Sequence, residues 1–250
     1  MMRARVVLPE TLDSLAESDP AAQRSRRDLQ RLHRVMRTRA TLLRALRVPG
    51  AALPARRPGA TLRVLELGAG DGSLLLGVAR VLAPDWPPVQ LTLLDRQALV
   101  SPDTVAAYAR LGWRALPLQA DVLDWAAPQQ DSAGPGVGTQ RWDMIIANLF
   151  LHHFEGQYLA RLLAAVAARC QRFVACEPRR SGLALLASHS VVLIGANAVT
   201  RQDAVLSVHA GFRATELTAA WPGAALAWQL REHPASLFGH CFCADRRGTA

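Results

Sequence analysis

The chain has 250 residues, half of them hydrophobic, which is enough for one sizeable α/β core with an appendage. All 29 basic residues are arginine, and against 20 Asp and Glu they leave a net charge of +9. Residues 1–58 hold 13 Arg against 5 acidic residues, a net of +8, whereas residues 59–250 hold 16 against 15, a net of +1. A nearly neutral core argues against a nucleic-acid enzyme, which carries its charge around the cleft. Cys241 and Cys243 lie too close in sequence for an ordinary disulfide, and with Cys170 and Cys176 they show no metal-finger spacing. The start, "MMRARVVLPETLDSLAES", has no long apolar run, so no secretory signal is expected and a reduced, cytoplasmic setting is the default.

The elements follow in chain order. Residues 20–47 read as one helix or two. Leu29, Leu32, Met36, Ala40, Leu43 and Leu46 form an apolar stripe, and Arg24, Arg27, Arg31 and Arg34 an opposite basic one. A continuous helix would place Arg39 on the apolar side, towards whatever covers the stripe. "VPGAALPARRPGA", residues 48–60, is a Pro/Gly-rich linker. From Thr61 strands are expected at 62–67, 89–95, 114–119, 142–147 and 172–177. Helical segments at 72–83, 102–111 and 155–170 lie between them. That alternation predicts a parallel sheet covered on both faces. "DSAGPGVGTQ", residues 131–140, reads as a polar loop. "LALLASHSVVLIGANAV" is interrupted by Ser188, His189, Ser190 and Asn197, so it reads as buried or pocket-lining helix rather than a membrane span, with His189 as a packing residue. A helix is expected near 200–210. Short strand-like pieces follow in "FRATEL", "AWQLRE" and "GHCFCAD".

"VLELGAGDG", residues 64–72, carries the first functional signal. A glycine turn between a strand and a helix lets a ligand approach the backbone, and the helix N-terminus adds free N–H groups. The glycines fall at alternate positions 68, 70 and 72. The dinucleotide spacing fails at Ser73, which keeps a dinucleotide only as a minority reading. Asp95 closes the second expected strand, where a carboxylate can accept both ribose hydroxyl hydrogens. Asp121 closes the third, where it suits an adenine amino group. Taken singly, each of the two is as readily a helix cap as a ligand contact.

"VLELGAGDG", "LLD", "ADVLDW" and "WDMIIANLFLHHF", in that order, resemble the motifs of class I S-adenosylmethionine-dependent methyltransferases over about residues 60–178. The resemblance implies an α/β fold: a Rossmann-like, doubly wound seven-stranded sheet whose last strand is antiparallel, with a helical N-terminal extension. It implies that Glu66, Gly68, Ala69 and Gly70 surround the methionine part of S-adenosylmethionine. It further implies Asp95 and the adjoining Arg96 at the ribose, Asp121 and Val122 beside adenine, and Asn148 with Leu149 near the sulfonium. Within the class the chain looks closest to small-molecule enzymes of the quinone and polyketide type. More loosely, "RRDLQRLHR" and "NAVTRQDAVLSVHAGF" resemble bacterial methyltransferases associated with type III polyketide synthases.

Methyl transfer to a hydroxyl needs alignment, exclusion of water and help with the proton. His152 and His153 open over the methyl position in this reading and are the catalytic candidates. As neighbours in regular structure only one should face the substrate. Glu177, Arg179 and Arg39 are candidates for contact with the acceptor, Arg180 sits beside Arg179, and Trp221, Trp228 and Phe238 are candidates for an aromatic-accepting pocket or for core packing. No metal set is legible. The expected organisation is a helical lid and linker, 1–58, and a methyltransferase domain, 59–250. The expected partner is a small-molecule acceptor, phenolic or polyketide-like, with no membrane or nucleic acid and with a homodimer left open. Two alternatives compete: an RNA or protein methyltransferase using the arginine helix, and a cofactor-binding module without turnover. "NLFL" stands where methyltransferases of planar amines carry an Asn/Asp-Pro-Pro-aromatic motif, which weakens the first.

Overall fold

A computed structural model describes residues 4–47, 60–127, 141–223 and 227–247. The 131–140 loop and all of the 48–60 linker but its last residue lie outside the described residues. Seven strands form one sheet: β1 (Leu62–Leu67), β2 (Val89–Asp95), β3 (Trp113–Gln119), β4 (Trp142–Asn148), β5 (Cys170–Pro178), β6 (Trp228–Ala235) and β7 (Gly239–Arg246). Their order is β3-β2-β1-β4-β5-β7-β6. The first five pair in parallel, and β7 lies antiparallel between β5 and β6. This is the class I methyltransferase architecture, as the motifs imply.

The helices follow from capping and burial. α4 (Ser73–Leu82), α5 (Pro102–Ala109), α6 (Val122–Trp125) and α7 (Gly156–Arg169) fall between the parallel strands. Ser101 caps α5 by accepting from the Thr104 N–H, with Pro102 at the first helical position, where its missing donor costs nothing. Alternation along β4 sends Ile145 and Ala147 to one face and Met144 and Ile146 to the other. Each face has its own apolar cluster, so the central strands are buried on both sides.

The N-terminal region forms α1 (Thr11–Ser14), α2 (Pro20–Val35) and α3 (Thr38–Leu46). The apolar stripe is broken by Arg37, which adopts φ 55° between α2 and α3. The break changes the register: Leu42, Ala45 and Leu46 enter the core, while Ala40 is exposed. Arg39 is therefore not carried into the cleft. It is exposed, and its guanidinium lies over Gly77 on α4.

Beyond β5 come α8 (Gly182–His189), a 3₁₀ turn (Val191–Ile194), α9 (Ala198–Ala210) and α10 (Glu216–Ala220). "FRATEL" is not a strand. Only Phe212 makes a bridge, to Arg179, and the chain turns into α10. His189 is exposed, while the neighbouring Ser188 is buried. Asp28, on α2, is buried and accepts from the Asn197 N–H at 2.8 Å and the Thr200 hydroxyl at 3.3 Å, tying α2 to the start of α9. Among the described residues no helix is long and apolar enough to cross a membrane.

Candidate active site

The strand order reverses between β1 and β4, and a crevice opens there at the carboxyl ends of the strands, the usual ligand position in open α/β sheets. Here it is a cavity of about 790 Å³. The turn after β1 forms one wall. Gly68, Gly70 and Gly72 all take positive φ, and a Cβ on Gly68 would strike the Phe150 ring. A Cβ on Gly70 would project into open space, so that position is a bare cradle facing the cavity. Asp95 tightens the turn. Its Oδ2 accepts from the Gly70 N–H at 2.8 Å and its Oδ1 from the Gln97 N–H at 2.9 Å.

Two buried acceptors on this wall have no hydrogen-bond partner among the described residues: Glu66 Oε2 and Asn148 Oδ1. Burial, with Asp71 and Asp95 nearby, pushes the Glu66 carboxyl well above its usual range. A buried unpaired acceptor costs about 1–3 kcal/mol, so both groups call for a donor-bearing ligand. The ammonium of an amino acid is such a ligand. The bare glycine cradle and the carboxylate that ends β2 fit the rest of S-adenosylmethionine. Asp121 and Val122 also line the cavity; Asp121 caps α6, accepting from the Leu123 N–H at 2.6 Å.

The opposite end is built by residues 149–153. Leu149 takes φ 51° and donates its N–H to Cys176 O at 2.8 Å; left-handed backbone in a branched residue is a strained state typical of functional sites. A 3₁₀ turn, Leu151–His153, follows. This irregular backbone overturns the expectation that the neighbouring histidines diverge. Their rings lie 4.3 Å apart between centroids, and both line the cavity.

Glu177 is a positioning residue. It is buried and accepts from the Phe150, Leu151 and His152 N–H groups at 3.1, 3.0 and 3.3 Å. Its Oε2 also lies 2.9 Å from His152 Nδ1. It does not line the cavity, because holding this turn consumes its oxygens. Arg179 is half-buried and also absent from the lining; its backbone N–H donates to Phe238 O at 2.8 Å. The adjacent Arg180 is buried against Glu216, Nη1 to Oε2 being 3.0 Å. Phe238 does line the cavity, whereas Trp221 and Trp228 pack in the core.

Sequence reading missed the groups that complete this end. Residues 4–19 run as a strap across the cleft. The Thr11 and Leu12 N–H groups donate to Asp203 at 2.8 and 3.0 Å, and Arg5 donates to Ala210 O at 2.7 Å. The strap delivers Glu10, whose Oε1 is 3.4 Å from His152 Nε2, and Asp13, whose Oδ2 is 3.3 Å from His153 Nδ1. Arg96 ion-pairs with Asp13 at 3.5 Å and so fastens the strap rather than standing free at the cavity wall. Burial would push the His152 imidazole down, but hydrogen bonds to Glu10 and Glu177 carry it up to about 9. Burial likewise raises the Glu10 and Asp13 carboxyls, and the histidines more than offset this, holding both below their usual range.

α2, with Arg26, Leu29, Gln30 and His33, and its C-cap Met36 cover the cleft, and the Gln30 amide donates to Asp71 Oδ2 at 2.8 Å, joining lid to glycine turn. The remaining wall is apolar, with Ala184, Val191, Ile194, Ala204 and Val208 from α8, its following turn and α9.

Solved structures share this fold at low sequence identity. The plantazolicin methyltransferase BpumL in complex with SAH aligns with TM-score 0.59 and 14% identity over 92% of this chain and 92% of that one. The mitomycin 7-O-methyltransferase MmcR aligns with TM-score 0.53 and 16% identity over 94% of this chain and 60% of that one. An O-methyltransferase family protein from Burkholderia thailandensis aligns with TM-score 0.52 and 15% identity over 93% and 62%. This chain thus spans about three fifths of the length of the last two. No protein-family profile matches the chain, and no curated protein sequence matches it.

Proposed function

We propose that this protein transfers a methyl group from S-adenosylmethionine to a hydroxyl of a small aromatic acceptor, phenolic or polyketide-like. One observation carries the reading. A single cavity joins a glycine cradle with two orphaned acceptors at one end to two carboxylate-backed histidines at the other. One neighbour is named a mitomycin 7-O-methyltransferase, which supports transfer to an oxygen of a small molecule.

The cofactor supplies a methyl carbon activated by its sulfonium. In this reading Glu66 and Asn148 accept hydrogen bonds from the amino-acid end, Gly68, Ala69 and Gly70 let the backbone close on it, Asp95 receives the ribose hydroxyls, and Asp121 with Val122 flanks the base. Leu149 shapes the wall beside the reacting carbon. His153 is where the acceptor hydroxyl loses its proton. Residues 1–58 act as a lid on a methyltransferase domain, 59–250, and keep water from the reacting centre. The apolar wall from α8 and α9 suits a flat hydrophobic acceptor. The test is incubation with methyl-labelled S-adenosylmethionine and a panel of phenols, tRNA and protein extract. Label in the organic-extractable phenol fraction supports the reading, and label confined to RNA or protein refutes it.

A further inference from the structure

We infer that Glu10, His152 and His153 form a binding site for a divalent first-row transition ion, of the zinc or iron(II) type, at the acceptor end of the cavity. No metal set was visible in the sequence because Glu10 lies some 140 residues from the histidines and arrives only on the strap. In the folded chain the three residues present ligand atoms that all lie within 4.8 Å of one another. Two imidazoles and one carboxylate, with the other positions open, are a recurrent donor set for such ions. Imidazole nitrogens disfavour magnesium and calcium, which take oxygen ligands.

The surroundings are those of a ligating set. A metal-binding histidine normally gives its other ring nitrogen to a carboxylate, which fixes tautomer and orientation. Both histidines have that arrangement: Glu177 lies 2.9 Å from His152 Nδ1, and Asp13 lies 3.3 Å from His153 Nδ1. On His152 this turns Nε2 towards the Glu10 carboxylate, 3.4 Å away, so that an ion can sit between the two. The Ser207 hydroxyl donates to Glu10 Oε1 and orients the third ligand. The backbone bears a cost to bring the rings together, with Leu149 left-handed just before the 3₁₀ turn. All three ligands line the cavity, so the open positions face the space assigned to the acceptor.

This deepens the proposed function and rests on it for its catalytic consequence. An acceptor hydroxyl that coordinates the ion ionises near neutral pH, as water does on catalytic zinc. Its O–H bond breaks and the proton leaves to solvent. The freed oxygen lone pair then attacks the methyl carbon while the carbon–sulfur bond breaks, giving the methyl ether and S-adenosylhomocysteine. Acceptors with a second oxygen beside the hydroxyl, able to chelate, are favoured.

The experiment is calorimetric titration of the metal-stripped full chain, purified without a histidine tag, with Zn²⁺ and with Co²⁺, the latter also followed by visible absorption. One ion per chain is expected. Glu10→Gln and His153→Ala should each weaken binding at least about tenfold, and Glu177→Gln by roughly 10–100-fold through the lost orientation of His152. Arg27→Ala, on the outer face of α2, should bind as the parent does. Thermal melts without metal establish that each variant is folded, and anomalous scattering at the zinc edge of the parent locates the ion independently of any variant. Failure to bind either ion, or binding that survives loss of Glu10 and His153 alike, overturns the site. Since no cofactor or acceptor is used, this result is separate from methyl transfer. Full methyl transfer by metal-free protein in chelator overturns the ion's catalytic role alone.

Discussion

Replacing Gly70 with alanine separates a cofactor cradle from an ordinary turn. Gly70 has φ +56°, and a Cβ built there meets no atom within 4 Å. The fold therefore loses only what a left-handed L-residue costs, roughly 1–2 kcal/mol. For a chain of this size that is a drop of roughly 2–8 °C in melting temperature. Gly112 is the matched control. It has φ +75° and equally open space, but it lies before β3, outside the cavity. Gly112→Ala should lose the same stability. The two part company with ligand. S-adenosylhomocysteine at a hundred times its dissociation constant stabilises the parent by about 2.7 kcal/mol, or roughly 5–11 °C. Gly112→Ala should keep that rise, and Gly70→Ala should lose it, because its methyl occupies the ligand's place. Thermal denaturation with and without S-adenosylhomocysteine decides. A Gly70→Ala protein with the full ligand-induced rise would show that nothing binds against this turn.

The other outcomes follow from the same geometry. Glu66 has a raised pKa, so its contribution to stability is full below its ordinary value of 4.5 and is lost as pH climbs through the raised one; between those two values cofactor binding should release a proton, and calorimetry in buffers of different ionisation enthalpy should show this release vanish in Glu66→Gln. His153→Ala should lower turnover about 10²–10⁴-fold at unchanged cofactor affinity, with a smaller loss at high pH where a phenol ionises unaided; full activity in both single histidine variants would mean that alignment alone does the work. Removing residues 1–17 takes away Glu10 and Asp13 but none of the sheet, so the response to S-adenosylhomocysteine should persist while methyl transfer is lost. Charge reversal of Arg24, Arg27 and Arg34 should leave activity unchanged, since all three are exposed; steeply salt-dependent RNA binding that disappears with them would refute the small-molecule reading.

What was legible in the sequence is what depends on local pattern. The five parallel strands and the tail pieces "AWQLRE" and "GHCFCAD" lie where local pattern places them, and the glycine turn, Asp95 and Asn148 occupy the strand ends where their spacing puts them. Misreadings arose where one residue's backbone state or a distant partner decided the outcome. Helical periodicity places Arg39 on the apolar side, and periodicity fails at Arg37, where a non-glycine residue turns left-handed. "FRATEL" alternates like a strand, but Arg213 and Glu216 are drawn together, with the Arg213 N–H on Glu216 Oε2 at 3.0 Å, as the chain enters α10. Glu177 reads from the sequence as a candidate for contact with the acceptor, and its four contacts with residues 150–152 emerge only when β4 and β5 lie side by side. Glu10 and Asp13 carry no local signal at all, because their partners are set by the path of a strap that has little regular structure.

The most direct test of the account is isothermal titration of the full chain with S-adenosylhomocysteine and, in parallel, with NAD. The account predicts saturable one-to-one binding of S-adenosylhomocysteine, weakened by roughly 1–3 kcal/mol in Asp95→Ala, where an acceptor for the ribose hydroxyls is lost, and no heat with NAD. Tight NAD binding with no response to S-adenosylhomocysteine would contradict it.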